Sequence, residues 1–180
     1  MEKVDPIRKT CDINKIKSYL RVSNKRNYLL FVIGINTAIK SNKLLTLKLK
    51  DVIQSDYTIK EHIIIDEVKH YINESINLAV TEYIDERVFD LDTYLFESQK
   101  SKTPINRSHL YKILNKAVNE CGIDITIGNE TLRKTFGYHY YYKTGDIKYL
   151  KRVFNQNSKK SLFEYLDIDS DSEETKNFCL

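Results

Sequence analysis

The stretch GNETLRKTFGYHYYYKTG, residues 128–145, decides how the chain is read. It opens with Asn129, a good helix cap, closes on Gly145, which ends helices readily, and holds no proline between them. A helix capped by Asn129 is expected there. It carries Arg133, His139 and four tyrosines, with Glu130 one turn before the arginine. An arginine at a helix start, with aromatics behind it, suits gripping a phosphate. A carboxylate beside that grip does not. Tyr138, Tyr140, Tyr141 and Tyr142 span too much of the helix for one functional face. Tyr138 with Tyr141 or Tyr142 is assigned to the core, and the others to its edge. His139 is read as a packing or hydrogen-bonding residue.

Outward from this stretch, helices are expected from Asp12 to about Leu20 and from Ser23 or Asn24 onward, the second with Tyr28, Leu29, Val32 and Ile33 inward. Residues 41–49 read as a short helix, and HIIIDEVKHYI (62–72) as a hairpin around Asp66-Glu67. Asn73 opens a helix with Ile76, Val80, Tyr83 and Ile84 at helical spacing. A polar, basic loop (98–108) precedes a helix capped by Ser108 and closed by Gly122. Helices from Asp146 to about Phe154 and around Leu162–Leu166 complete the chain. The fold class is mainly α with a small antiparallel β-sheet (α+β).

The 180 residues suffice for one domain with a real core, and 41% hydrophobic and 30% charged residues are those of a globular protein. The longest apolar run, YLLFVIGI (28–35), is far short of the roughly 20 residues of a membrane span. The first ten residues are charged where a secretory signal would be apolar, so a cytoplasmic protein is expected. Cys11, Cys121 and Cys179 form no CxxC spacing, and His62, His70 and His109 have no metal spacing. No disulfide framework, metal or cofactor is expected. Of the 29 Lys and Arg and 25 Asp and Glu, residues 166–180 hold one lysine and five acids, which leaves the preceding body at 28 against 20, or +8. A basic body with an acidic tail points towards a polyanion. The expected division is a single domain over 1–168 and an acidic tail over 169–180.

Four segments carry a more specific signal: NYLLFVIGINTAIKSNKLLTLKLKDV (27–52), YLFESQKSKTPINRSHLYKILNKAVNECGI (94–123), GNETLRKTFGYHYY (128–141) and VFNQNSKKSLFEYLDI (153–168). In this order they resemble the successive boxes of the catalytic domain of tyrosine recombinases, the phage integrase family, over roughly residues 5–168. The resemblance implies that family's fold and its chemistry, in which a tyrosine cuts DNA and holds it as a 3′-phosphotyrosyl bond. A tyrosine hydroxyl, with an ordinary pKa of about 10, needs help to attack a phosphodiester. The family therefore supplies two arginines for the non-bridging oxygens, a proton donor for the leaving 5′-oxygen and a base for the tyrosine.

Carried over by the resemblance, the second arginine falls on Arg133 and the nucleophile on Tyr165. The other signature positions depart from the pattern. The first arginine falls on Lys40, which cannot make the rigid fork. The nearby acid falls on Lys43. The hairpin lysine corresponds at best to Lys69 in a shortened hairpin. The histidine of His-x-x-Arg falls on Glu130, and the His/Trp position on Gln156, which still donates a hydrogen bond. At ~5 Å and an effective dielectric of ~20, Glu130 against a phosphate costs about 3 kcal/mol. Lys100, Lys102, Arg107, Lys112 and Lys116 are candidate phosphate contacts.

The resemblance thus implies a DNA-binding member of the family with weak or lost catalysis. The alternatives are an active site-specific recombinase and a tyrosine-dependent nicking enzyme of plasmid transfer or replication. The implied partners are double-stranded DNA and either a second copy on DNA or an active recombinase relative, with no membrane.

Overall fold

A helix that is apolar on every side must be covered on every side. From Leu29 to Gly34 the helix KRNYLLFVIGIN (25–36) is of this kind, and it lies at the centre of the computed structural model, which describes residues 4–84 and 90–169. In chain order the elements are α1 (Thr10–Ser23), α2 (Lys25–Asn36), α3 (Ser41–Leu45), α4 (Leu49–Val52), β1 (His62–Ile65), β2 (Val68–Tyr71), α5 (Glu74–Ile84), α6 (Arg107–Glu120), α7 (Thr131–Thr144), α8 (Ile147–Phe154) and α9 (Lys159–Leu166). Residues 29–34 of α2 are all buried, and the helix packs on α1, α5 and α7. Tyr28 is half-buried against the same core.

β1 and β2 pair antiparallel, with Ile63 opposite His70 and Ile64 opposite Lys69. The turn between them is Asp66-Glu67, both at positive φ (47° and 65°), as a tight hairpin requires. A second apolar cluster, around Leu150, Phe154, Leu162, Phe163 and Leu166, joins α8 and α9 to the outer face of α7. All four tyrosines of α7 are half-buried against it, so the expected division into core and edge does not hold. Their rings pack on one another and on Phe136, Tyr149 and Phe163. His139 packs as expected, with Nε2 2.9 Å from the Ile7 carbonyl.

Several helix starts differ from expectation. α1 begins at Thr10 after Lys9, with Asp12 inside its first turn, where its carboxylate still faces the positive end of the dipole. Asn106, not Ser108, caps α6 and accepts a 2.9 Å hydrogen bond from His109 N–H. Glu130, not Asn129, takes the cap position of α7 and makes no side-chain cap. Asn129 is drawn out of that role because Ser41 Oγ–H donates to its carbonyl, and its own Oδ1 is buried without a partner. Residues 41–49 are not one helix. Leu47 O accepts from Leu95 N–H at 2.7 Å and Leu49 N–H donates to Thr93 O at 3.0 Å, so the chain runs extended between α3 and α4 to pair with residues 93–95. α9 starts earlier than expected, at Lys159, under a cap from Ser158. The expected acidic tail lies outside the described residues from position 170 onward. No helix among the described residues is long and apolar enough to cross a membrane.

Candidate active site

Arg133 sits in the first turn of α7 and is 6% exposed. A buried guanidinium needs acceptors for its donors, and two backbone segments provide them. Nε donates to the Ala38 carbonyl, just beyond α2, at 2.7 Å, and Nη2 donates to the Val153 carbonyl in α8, also at 2.7 Å. The Phe154 ring lies 4.5 Å from the guanidinium carbon. These contacts fix the plane of the fork and leave Nη1 aimed at Glu130 Oε2, 3.9 Å away.

The same carboxylate oxygen accepts a 2.7 Å hydrogen bond from the Tyr165 hydroxyl. Tyr165 is carried to this point by α9, whose Leu162 and Leu166 are fully buried. Its ring packs on Phe154 at 5.5 Å, with the Lys134 ammonium 5.3 Å from its centroid. Burial, then the charge and hydrogen bond of Glu130, push the Tyr165 hydroxyl well above the ordinary tyrosine range, while Arg133 opposes them. Arg107, at the start of α6, brings Nη2 within 3.8 Å of Glu130 Oε1. The carboxylate thus lies among two arginines and a phenol.

On another side of Arg133 opens a cleft of about 470 Å³. Lys40, Lys43 and Lys69 line it together with His70 and Arg152, so three of the departed signature positions meet Arg133 in one space. Lys43 is already paired with Asp66 at the hairpin tip, Nζ to Oδ1 2.9 Å. Gln156 does not line this cleft; it follows α8 half-buried, and its backbone N–H caps that helix at the Lys151 carbonyl, 2.8 Å away. Of the candidate phosphate contacts, Lys112 and Lys116 line a groove of about 600 Å³ between α1 and α6 with His109. Lys100 and Lys102 are exposed on the loop closed by the Glu97–Pro104 bridge.

His70, Arg152 and the approach of Arg107 to Glu130 are not among the sequence expectations for the site. His70 was discoverable: in the alternation of the hairpin it shares the inward face with Ile63. Nothing local signals that Arg107 and Glu130 meet, since they belong to different helix starts.

A sequence model of the phage integrase family matches residues 9–171. The chain is 39% identical over 173 residues to the "Probable integrase/recombinase YoeC" of Bacillus subtilis (strain 168), covering 96% of this chain and 94% of that one. Among solved structures, XerA recombinase superposes with a TM-score of 0.74 at 18% identity, covering 94% of this chain and 62% of that one. XerH site-specific recombinase, bound to its palindromic difH substrate, gives 0.69 at 24% identity over 94% of this chain and 51% of its own. The chain therefore spans about three-fifths and about half of those two proteins. Their shared fold is the one described above, mainly helical with a small antiparallel sheet. From the match along most of its length and the similarity to the Bacillus protein, the chain belongs to the phage integrase family.

Proposed function

We propose that this protein binds double-stranded DNA over the basic face around Arg133 and cleaves it slowly or not at all. The observation that carries the reading is the Tyr165–Glu130 hydrogen bond of 2.7 Å. The hydroxyl that would attack phosphorus is engaged by a carboxylate, and that carboxylate stands where an anion has to approach Arg133. Two of the arginine's five N–H donors already serve backbone carbonyls, so the grip left for a phosphate rests on the two of Nη1 and the second of Nη2. Lys40 adds charge without a fork. The DNA-bound XerH structure, of the same fold, supports duplex DNA as the partner.

A second reading, a cleavage-competent enzyme, draws on the same contact. A carboxylate in direct hydrogen bond with the nucleophile is placed to accept its proton as the bond to phosphorus forms. Suicide duplexes carrying a nick, drawn from a library of sites, separate the two. The proposal expects specific binding with little or no denaturant-stable protein–DNA adduct. Abundant adduct that disappears with Tyr165→Phe selects the second reading. Nicked product without strand exchange points to a single-strand nicking activity.

A further inference from the structure

The cleft beside Arg133 contains a titratable group that neither reading uses. His70 on β2 is 8% exposed and turned to the inward face of the hairpin opposite Ile63. It lines the cleft, yet its ring makes no hydrogen bond to any described residue. Its ring nitrogens are not sealed from solvent, so the neutral imidazole has one N–H donor and one lone pair to offer.

The groups that face it come from every wall. Lys40 and Lys43 lie at the start of α3, and Asp66, Glu67 and Lys69 belong to the hairpin. Arg133 comes from α7, and Tyr149 and Arg152 from α8. With Lys43 and Asp66 paired to one another, the remaining charge is predominantly positive. Burial first and Arg133 second hold the imidazole below its usual range, so it is neutral near pH 7 in the free protein. An anion arriving beside Arg133 reverses the second cause and adds an acceptor for a ring proton.

We propose that His70 is a proton-switched phosphate contact: when a DNA backbone phosphate occupies the cleft beside Arg133, the ring takes a proton from solvent and donates a hydrogen bond to a non-bridging oxygen. This rests on the DNA-binding reading and adds to it a residue and a pH dependence. Because the bound state holds one more proton than the free state, affinity rises as pH falls, by at most about tenfold per pH unit for a single group.

The test uses the full chain with His62→Gln and His109→Gln introduced, to silence the other histidines near the hairpin and the α6 groove. Its ring nitrogens are followed by NMR across pH, without and with a saturating short duplex. The titration midpoint of His70 is expected to move upward in the complex. Duplex affinity is expected to improve about three- to tenfold more from about pH 7.5 to about pH 6 than it does when His70→Gln is added. An unmoved midpoint in a complex that does form, or the same pH dependence with His70→Gln, overturns this proposal and leaves the DNA-binding reading standing. If His70→Gln fails to fold, the midpoint in the parent protein decides alone. No duplex binding at low salt at any pH would overturn both.

Discussion

The hydroxyl of Tyr165 and the carboxylate of Glu130, 35 residues apart in sequence, share a hydrogen bond of 2.7 Å. Burial and that carboxylate raise the hydroxyl pKa in the folded state. The folded protein therefore keeps a proton that the unfolded chain releases above about pH 10. The associated stability is fully present below that pH and is lost as pH rises through the folded-state value. In urea melts at a series of pH values above about 10, wild type should lose stability more steeply than Tyr165→Phe. Parallel slopes would show that the contact does not exist in solution.

Replacing Glu130 by glutamine keeps the size and removes the charge that faces an incoming phosphate. With a penalty of up to about 3 kcal/mol at ~5 Å, reduced by Arg107 at 3.8 Å, Glu130→Gln should tighten duplex binding by roughly tenfold. The gain should shrink as salt rises. Fluorescence anisotropy on a short duplex measures it, and an unchanged affinity would mean that phosphate does not approach Glu130.

Arg133 ties two backbone segments together as well as lining the cleft. Lysine cannot serve the Ala38 and Val153 carbonyls together in the geometry of the guanidinium. Arg133→Lys should therefore cost about 2–3 kcal/mol of stability, in keeping with buried acceptors left unmatched, as read from urea denaturation. A change below about 0.5 kcal/mol, the range of ordinary surface substitutions, would place the side chain in solvent instead.

The approach of α2 to α7 depends on Gly34. A Cβ there would stand 2.5 Å from Leu132 Cδ1 and 3.0 Å from Leu132 Cβ. Overpacking of this kind costs about 1–3 kcal/mol, against which alanine returns up to about 1 kcal/mol of helix propensity. Gly34→Ala should lower the melting temperature by a few degrees, at about 2–4 °C per kcal/mol for a chain of this size. It should also weaken DNA binding, because Leu132 adjoins Arg133 and Ala38 follows α2. Calorimetry and anisotropy check the two effects.

Duplex affinity should fall steeply with salt, since each neutralised phosphate releases counterions. If the groove between α1 and α6 meets the backbone, Lys112→Ala and Lys116→Ala should each lower the slope of log affinity against log salt by about one. Slopes equal to wild type would move the DNA elsewhere on the surface.

Much of the fold follows from local pattern. The 3.6-residue recurrence of Leu29, Val32 and Ile33, the cap at Asn24 and the apolar strands about Asp66-Glu67 are properties of neighbouring residues, and each element forms where that pattern places it. The ordered segments likewise single out Arg133 and Tyr165 as candidates. The choice between Asn106 and Ser108 as a cap was not legible, because both suit that role and only the surrounding packing selects one. Tertiary structure alone decided what these two candidates touch. Arg133 meets a carbonyl 95 residues away, Tyr165 meets Glu130, and His70 is brought to the same arginine as Lys40 and Arg152. Such contacts depend on how buried helices cross, and helix periodicity specifies which face turns inward but not which residue of a distant segment it will face.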